Sequence, residues 1–204
     1  MMAAVFTSNS FSIDNGFIWK IEESIDFLYD NAMLSDVEKL KYLKFKNDRR
    51  KREWLAVRAG LNLYFKKKIE IKYLPSGQPV LENSAGVSIT HSGDYIAVRW
   101  GSQKVGIDIE QISDKVVRVC HKFLNRDEVI LSNNDKILLT IFWSVKEAVY
   151  KYCGQEGVNF SKDINIVSID KDKGIVVVKS KFEKDVLLLN YNFIEDKYIL
   201  AWVA

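Results

Sequence analysis

Between residues 25 and 66 the apolar positions recur every three or four residues: Ile25, Phe27 and Leu28, then Val37, Leu40 and Leu43, then Trp54, Leu55, Val57 and Leu61. That spacing predicts helices. Ser35 with Glu38 three residues later marks the start of one of them as a capping box. Past residue 69 the period falls to two, which predicts strands over 86–92, 96–100 and 104–109, broken by the turn residues Gly77, Gly93 and Gly101. The strand over 104–109 reads as the next arm of the preceding hairpin. Helices then return over 116–123, 125–132 and 136–152. In the last, Ile137, Leu138, Ile141, Phe142, Val145, Ala148, Val149 and Tyr152 form an apolar stripe that Gly154 stops. Four short strands close the chain, over 164–169, 174–179, 186–192 and 197–203, and read as an antiparallel meander. Helices followed by strands thus occur twice. The rhythm predicts an α+β fold of two similar halves with antiparallel sheets, 1–101 and 102–204, packed as a pseudo-dimer with the active site in the cleft between them.

Bulk properties narrow the setting. A chain of 204 residues, 48% hydrophobic and 28% charged, is long enough for a large core. A net charge of +3 permits an anionic ligand without calling for nucleic acid. No apolar run reaches the roughly 18 residues of a membrane span, and residues 1–15 have neither the basic start nor the apolar centre of a signal peptide. Cys120 and Cys153 follow no pairing pattern, and only two His accompany them. A zinc site is therefore not expected, and the cysteines read as buried residues in a reducing, cytoplasmic compartment.

Candidate chemistry gathers in two pieces. In the run 105–110 Val105, Ile107 and Ile109 alternate with Gly106, Asp108 and Glu110, so the two carboxylates leave one face of a strand. In the run 142–151 Glu147 and Lys151 are four apart and share a helix face. Lys146, about 100° round that helix, is assigned a different role or a supporting ion pair. Three carboxylates, Asp108, Glu110 and Glu147, point to a hard divalent cation with oxygen ligands, Mg2+ serving a phosphate substrate, with Lys151 as partner of the phosphate. Upstream, His91 stands between Thr90 and Ser92 at a strand end, a nest suited to a phosphate. The lysines and arginines from Lys39 to Arg52 read mostly as a solvated basic face, with Lys44 and Arg52 as the candidates for a phosphate contact.

With those residues in view, the chain resembles the 4'-phosphopantetheinyl transferases. Gly106, Ile107, Asp108, Ile109 and Glu110, followed by Trp143, Ser144, Val145, Lys146, Glu147 and, one turn on, Lys151, look like the two signature motifs of that family. The run 88–93 resembles the motif that precedes them in the surfactin-type, double-length class. The resemblance implies an enzyme that moves the phosphopantetheine arm of coenzyme A onto a serine of an apo acyl or peptidyl carrier protein and releases 3',5'-ADP. It also implies Mg2+ on Asp108, Glu110 and Glu147, and coenzyme A phosphates on Lys151 and His91. The family's Gly-Lys-Pro is here Gly77, Gln78 and Pro79, so a lysine near the 3'-phosphate is missing, and the basic cluster from Lys44 to Arg52 is the expected substitute.

On this reading Asp108, Glu147 and Lys151 carry catalysis, and Glu147 stays open between metal ligand, base and both. Two other readings use the same residues: a Mg2+-dependent phosphodiesterase on nucleic acid, and a non-catalytic module that binds coenzyme A. The mild charge gives the first little support, and the intact acidic set speaks against the second. Two halves in one chain make a monomer the simplest expectation.

Overall fold

The computed structural model describes residues 10–81 and 86–204. The reading of residues 1–15 as lacking a signal peptide falls mostly outside that range. Among the described residues the fold is α+β, and every strand pairing is antiparallel.

The first sheet takes the order β1-β2-β6-β5. Its strands are β1 (Ser10–Ile13), β2 (Gly16–Lys20), β5 (Gly86–Ser92) and β6 (Tyr95–Gly101). Between β2 and β5 lie α1 (Ile25–Ala32), α2 (Asp36–Leu43), α3 (Asp48–Phe65) and a small ribbon of β3 (Ile71–Tyr73) and β4 (Pro79–Leu81). The second sheet takes the order β7-β11-β10-β9-β8. It is built from β7 (Ile107–Gln111), β8 (Ile164–Asp170), β9 (Ile175–Ser180), β10 (Leu187–Ile194) and β11 (Tyr198–Val203). Helices α4 (Asp114–Val119), α5 (Arg126–Ser132), α6 (Lys136–Cys153) and α7 (Phe160–Asp163) fill the stretch between β7 and β8.

Each sheet thus carries one 18-residue helix, α3 on the first and α6 on the second. Phe17, Trp19, Ile96 and Val98 face α3 and form one core with Leu55, Ala59 and Leu61. Ile199, Ala201 and Val203 face α6 and form another with Phe142, Val145 and Val149. The alternate residues of the same strands do not reach solvent. Ile18, Tyr95 and Ala97 from the first sheet meet Ile107, Ile109, Tyr198 and Leu200 from the second in a third core. Strands covered on both faces read as near-continuous apolar runs, which is why 95–98 and 198–201 show no alternation. Fully burying a side chain such as Ile18 or Leu200 contributes about 1.5–3 kcal/mol, so the join between the sheets is stabilised in the same way as either core.

Local chemistry sets the boundaries. Ser35 accepts from the Glu38 amide while the Glu38 carboxylate accepts from the Ser35 amide, and Asn125 and Glu128 repeat the arrangement at α5. Gly154 ends α6 at φ +62°, a conformation that glycine adopts freely.

One expectation needs correction, and two features lie beyond what the pattern predicts. β7 is no arm of the preceding hairpin; it leaves β6 and pairs with β11 in the other sheet. The strand at Ser10–Ile13 carries no distinct pattern and was not expected. Val37, Leu40 and Leu43 do not enter a core: α2 buries no residue, and the three are 77%, 64% and 74% exposed.

Candidate active site

The site is built where β7, β5 and α6 meet. Gly106 lies directly under α6, and a Cβ there would run into the carbonyl oxygen of Ala148 and the Cβ of Tyr152. Its absence lets the helix settle onto the strand and brings the face with Glu147 and Lys151 to the carboxylates of β7. β5 approaches from the other half, but not by backbone pairing. The hydroxyls of Ser88, Thr90 and Ser92, spaced by two, accept from the amides of Ile107, Ile109 and Gln111 at 3.1, 3.2 and 3.0 Å. Side-chain oxygens thereby satisfy the amides of a strand edge that would otherwise be buried unpaired.

Two of those hydroxyls also hold the acidic residues. Thr90 donates to Oδ1 of Asp108 at 2.9 Å, and Ser92 donates to Oε2 of Glu110 at 3.4 Å. Asp108, 3% exposed, also takes the Ser144 hydroxyl on Oδ2 at 3.0 Å and the Lys151 ammonium on Oδ1 at 2.7 Å. Glu110 takes the Trp143 indole N–H on Oε1 at 2.9 Å. Glu147 has no hydrogen bond or ion pair among the described residues. Burial first, and then the charges of Asp108 and Glu110, push its carboxyl up to about 7, against the pull of Lys151. Glu110 is raised as well, by burial and then by Asp108. Among the described residues no group of three or more His, Cys, Asp or Glu already stands at metal-site spacing. What stands there is a repelling set of carboxylates with one ammonium resting on its deepest member.

The other candidates separate. His91 points away from Thr90 and Ser92, since successive strand residues face opposite sides. Its Nε2 is 2.8 Å from Arg50 and its Nδ1 3.4 Å from Glu53, which also pairs with Arg49. Burial, with help from Arg50, Lys151 and Arg49 and against Glu53, holds the imidazole below its usual range. Arg52 is not beside it: its guanidinium donates to the carbonyls of Ile21 and Glu23 and ties α3 to the end of β2. Lys44 is an exposed C-cap of α2, in none of these contacts. Thus Arg49, Arg50 and Glu53, which the pattern did not single out, are the charged groups at His91. Their spacing of three and four on α3 was the available signal.

Lys146 is fully buried and donates to Glu128 at 2.7 Å and to the carbonyls of Phe123, Phe160 and Ile164. It is a structural cross-link, in line with the supporting ion pair expected of it. Two open cavities lie beside the candidate residues, one reached by Lys151 and the other by His91. One, of about 210 Å³, lies between Gly77, Gln78, Pro79 and Ser88 of the first half and Lys151 and Gly154 of the second. The other, also about 210 Å³, is lined by Arg50, Glu53, Trp54 and His91 and shares Pro79 and Ile89 with the first.

Comparison with known proteins agrees with the motif pair. Residues 104–203 match the 4'-phosphopantetheinyl transferase superfamily. The 4'-phosphopantetheinyl transferase gsp of Aneurinibacillus migulanus is 24% identical over 181 residues, 81% of this chain and 75% of the relative. The holo-[acyl-carrier-protein] synthase of Thermotoga maritima is similar at TM-score 0.40 and 19% identity, over 49% of this chain and 61% of that one. The family match thus rests on residues 104–203, the part of the chain that carries Asp108, Glu110, Glu147 and Lys151.

Proposed function

We propose that the chain transfers the 4'-phosphopantetheine arm of coenzyme A to a serine of an apo acyl or peptidyl carrier protein, with Mg2+ as cofactor, in the cytoplasm and as a monomer. The observation that carries this reading is Glu147: a carboxylate with no hydrogen bond or ion pair among the described residues, raised to about 7 by burial and by Asp108 and Glu110 beside it. Such a donor set fits a hard divalent ion, because oxygen ligands and clustered negative charge are what Mg2+ takes up. Asp108, Glu110 and Glu147 would hold it. When bound it supplies charge neutralisation at a pyrophosphate and Lewis-acid activation of the phosphorus.

The chain's own groups supply the rest. Lys151, at 24% side-chain exposure, can pass from Asp108 to a phosphate oxygen without leaving the site. Arg50 and His91 line the second cavity and suit a further phosphate of coenzyme A, the charge that Gln78 does not provide. The serine hydroxyl of the carrier attacks the β-phosphorus, the bridging P–O bond to the nucleotide breaks, and 3',5'-ADP leaves with that electron pair. Glu147, directly or through a water, accepts the serine proton; a carboxyl near 7 is suited to that. Unpaired Cys120 and Cys153 suit a reducing compartment, and among the described residues no helix is long and apolar enough to cross a membrane.

The test is a mass-shift assay with coenzyme A, Mg2+ and a panel of apo carrier proteins. A phosphopantetheine adduct is expected on at least one carrier, lost in Asp108→Ala. No adduct on any carrier would remove the reading.

A further inference from the structure

Trp143 sits in α6 one turn before Glu147, with its ring half-buried. Phe123 and Phe160 pack on it at centroid distances of 4.9 and 5.6 Å, so neighbours fix the plane of the indole. The ring also walls two open cavities. One of about 140 Å³ contains Glu110 and Thr140, and one of about 330 Å³ contains Phe123 and Phe160. Aromatic packing alone would be met by phenylalanine. The indole adds one thing, an N–H, and it is aimed at Oε1 of Glu110 at 2.9 Å.

The position of that bond matters. Glu110 is the least buried of the two β7 carboxylates, and its terminal torsion has a broad energy profile with no strong intrinsic preference. Asp108 is gripped by three side chains, from Thr90, Ser144 and Lys151. Among the described residues Glu110 has two donors, one on each oxygen: Ser92 at 3.4 Å and Trp143 at 2.9 Å. The shorter of these is the indole.

We propose that Trp143 is a positioning residue whose indole N–H fixes the Glu110 carboxylate and thereby sets the affinity of the acidic cluster for its divalent cation. This rests on the metal reading given above. Groups that orient a ligating carboxylate from behind fix its direction and tune how tightly the metal is held.

The experiment is Trp143→Phe, which removes the donor and keeps the ring. Mn2+ affinity is measured by electron paramagnetic resonance with coenzyme A present and no carrier protein, so that nothing turns over. Affinity is expected to fall about 10- to 100-fold, the range for such outer partners. The Mg2+ concentration for half-maximal transfer should rise in step, while kcat at saturating Mg2+ stays near wild type. A purely structural role would lower the melting temperature and leave the Mn2+ affinity of the folded fraction unchanged; that result overturns the proposal. If Trp143→Phe does not fold, the wild-type indole N–H resonance, identified by its shift in Glu110→Gln, is followed through a Mg2+ titration. Movement supports the proposal, and a stationary resonance overturns it. A wild-type protein that neither binds Mn2+ nor modifies a carrier would remove the metal reading itself, whereas wild-type-like Mn2+ binding by Trp143→Phe removes only this inference.

Discussion

Asp108 and Lys151 are joined by a 2.7 Å ion pair that links strand β7 to the last turn of α6. The pair holds the deepest carboxylate of the site against the one ammonium that contacts it among the described residues. Glu147, one turn earlier on the same helix face, is left outside the pair and bears the repulsion of both β7 carboxylates.

That exclusion gives metal-free protein a defined pH dependence. The Glu147 carboxyl is raised from its unfolded value to about 7. The folded state therefore binds the extra proton between those two values, and the associated stability is fully present below the unfolded pKa and lost as pH rises through about 7. In EDTA the melting temperature is expected to fall as pH goes from 5 to 8, and Glu147→Gln should flatten that fall while abolishing carrier modification. Thermal melts of both proteins across the range check it; an equal fall in the variant would refute the cause.

Lys146 and Glu128 should behave as a folding pair and not as catalytic groups. Both are essentially inaccessible, and Lys146 also satisfies three carbonyls. Lys146→Met leaves the buried Glu128 carboxylate without its counter-ion, with the amides of Asn125 and Ile166 on it, which costs about 3–5 kcal/mol. Urea unfolding is expected to show that loss, with part of it recovered when Glu128→Leu is added.

Arg50 and Arg52, two residues apart on α3, should separate cleanly. Arg50→Ala removes a cation from the cavity at His91 and should raise KM for coenzyme A about tenfold or more, the effect of losing a charged hydrogen bond. Arg52→Ala unties Ile21 and Glu23 and should lower the melting temperature with KM unchanged. Steady-state kinetics and melts on the two variants decide the matter.

Gly106→Ala should damage stability and activity together. The added methyl meets the Ala148 carbonyl, a rigid backbone atom, so α6 must lift from β7. Overpacking of this kind costs about 1–3 kcal/mol, and the displacement would separate Glu147 from Asp108. A variant with wild-type unfolding and wild-type transfer would contradict the tight seat of the helix.

Much of this arrangement is written in short-range pattern. Helix α6 follows from its apolar stripe and Gly154, and the nearness of Asp108 to Glu110 follows from a strand's period of two. What pattern could not reveal is which side of a strand meets which partner. Thr90 and Ser92 looked like phosphate contacts because they flank His91, yet alternation turns them to β7 and leaves His91 on the opposite face. Pattern singles out Arg52 and passes over Arg50, and only the third dimension distinguishes a carbonyl tether from a cavity wall. Leu40 and its neighbours show the reverse failure. Helical spacing of apolar residues is normally the mark of a buried stripe, and here it lies open to solvent.

The three hydroxyls of β5 have a consequence for solubility. β5 and β7 each end a sheet, and bare strand ends of that kind recruit other chains into intermolecular pairing. Here each is shielded by its opposite number through Ser88, Thr90 and Ser92, with no main-chain pairing between them. Residues 102–204 produced alone would expose the amides of Ile107, Ile109 and Gln111 in a row, so that fragment is expected to aggregate where the whole chain stays dispersed.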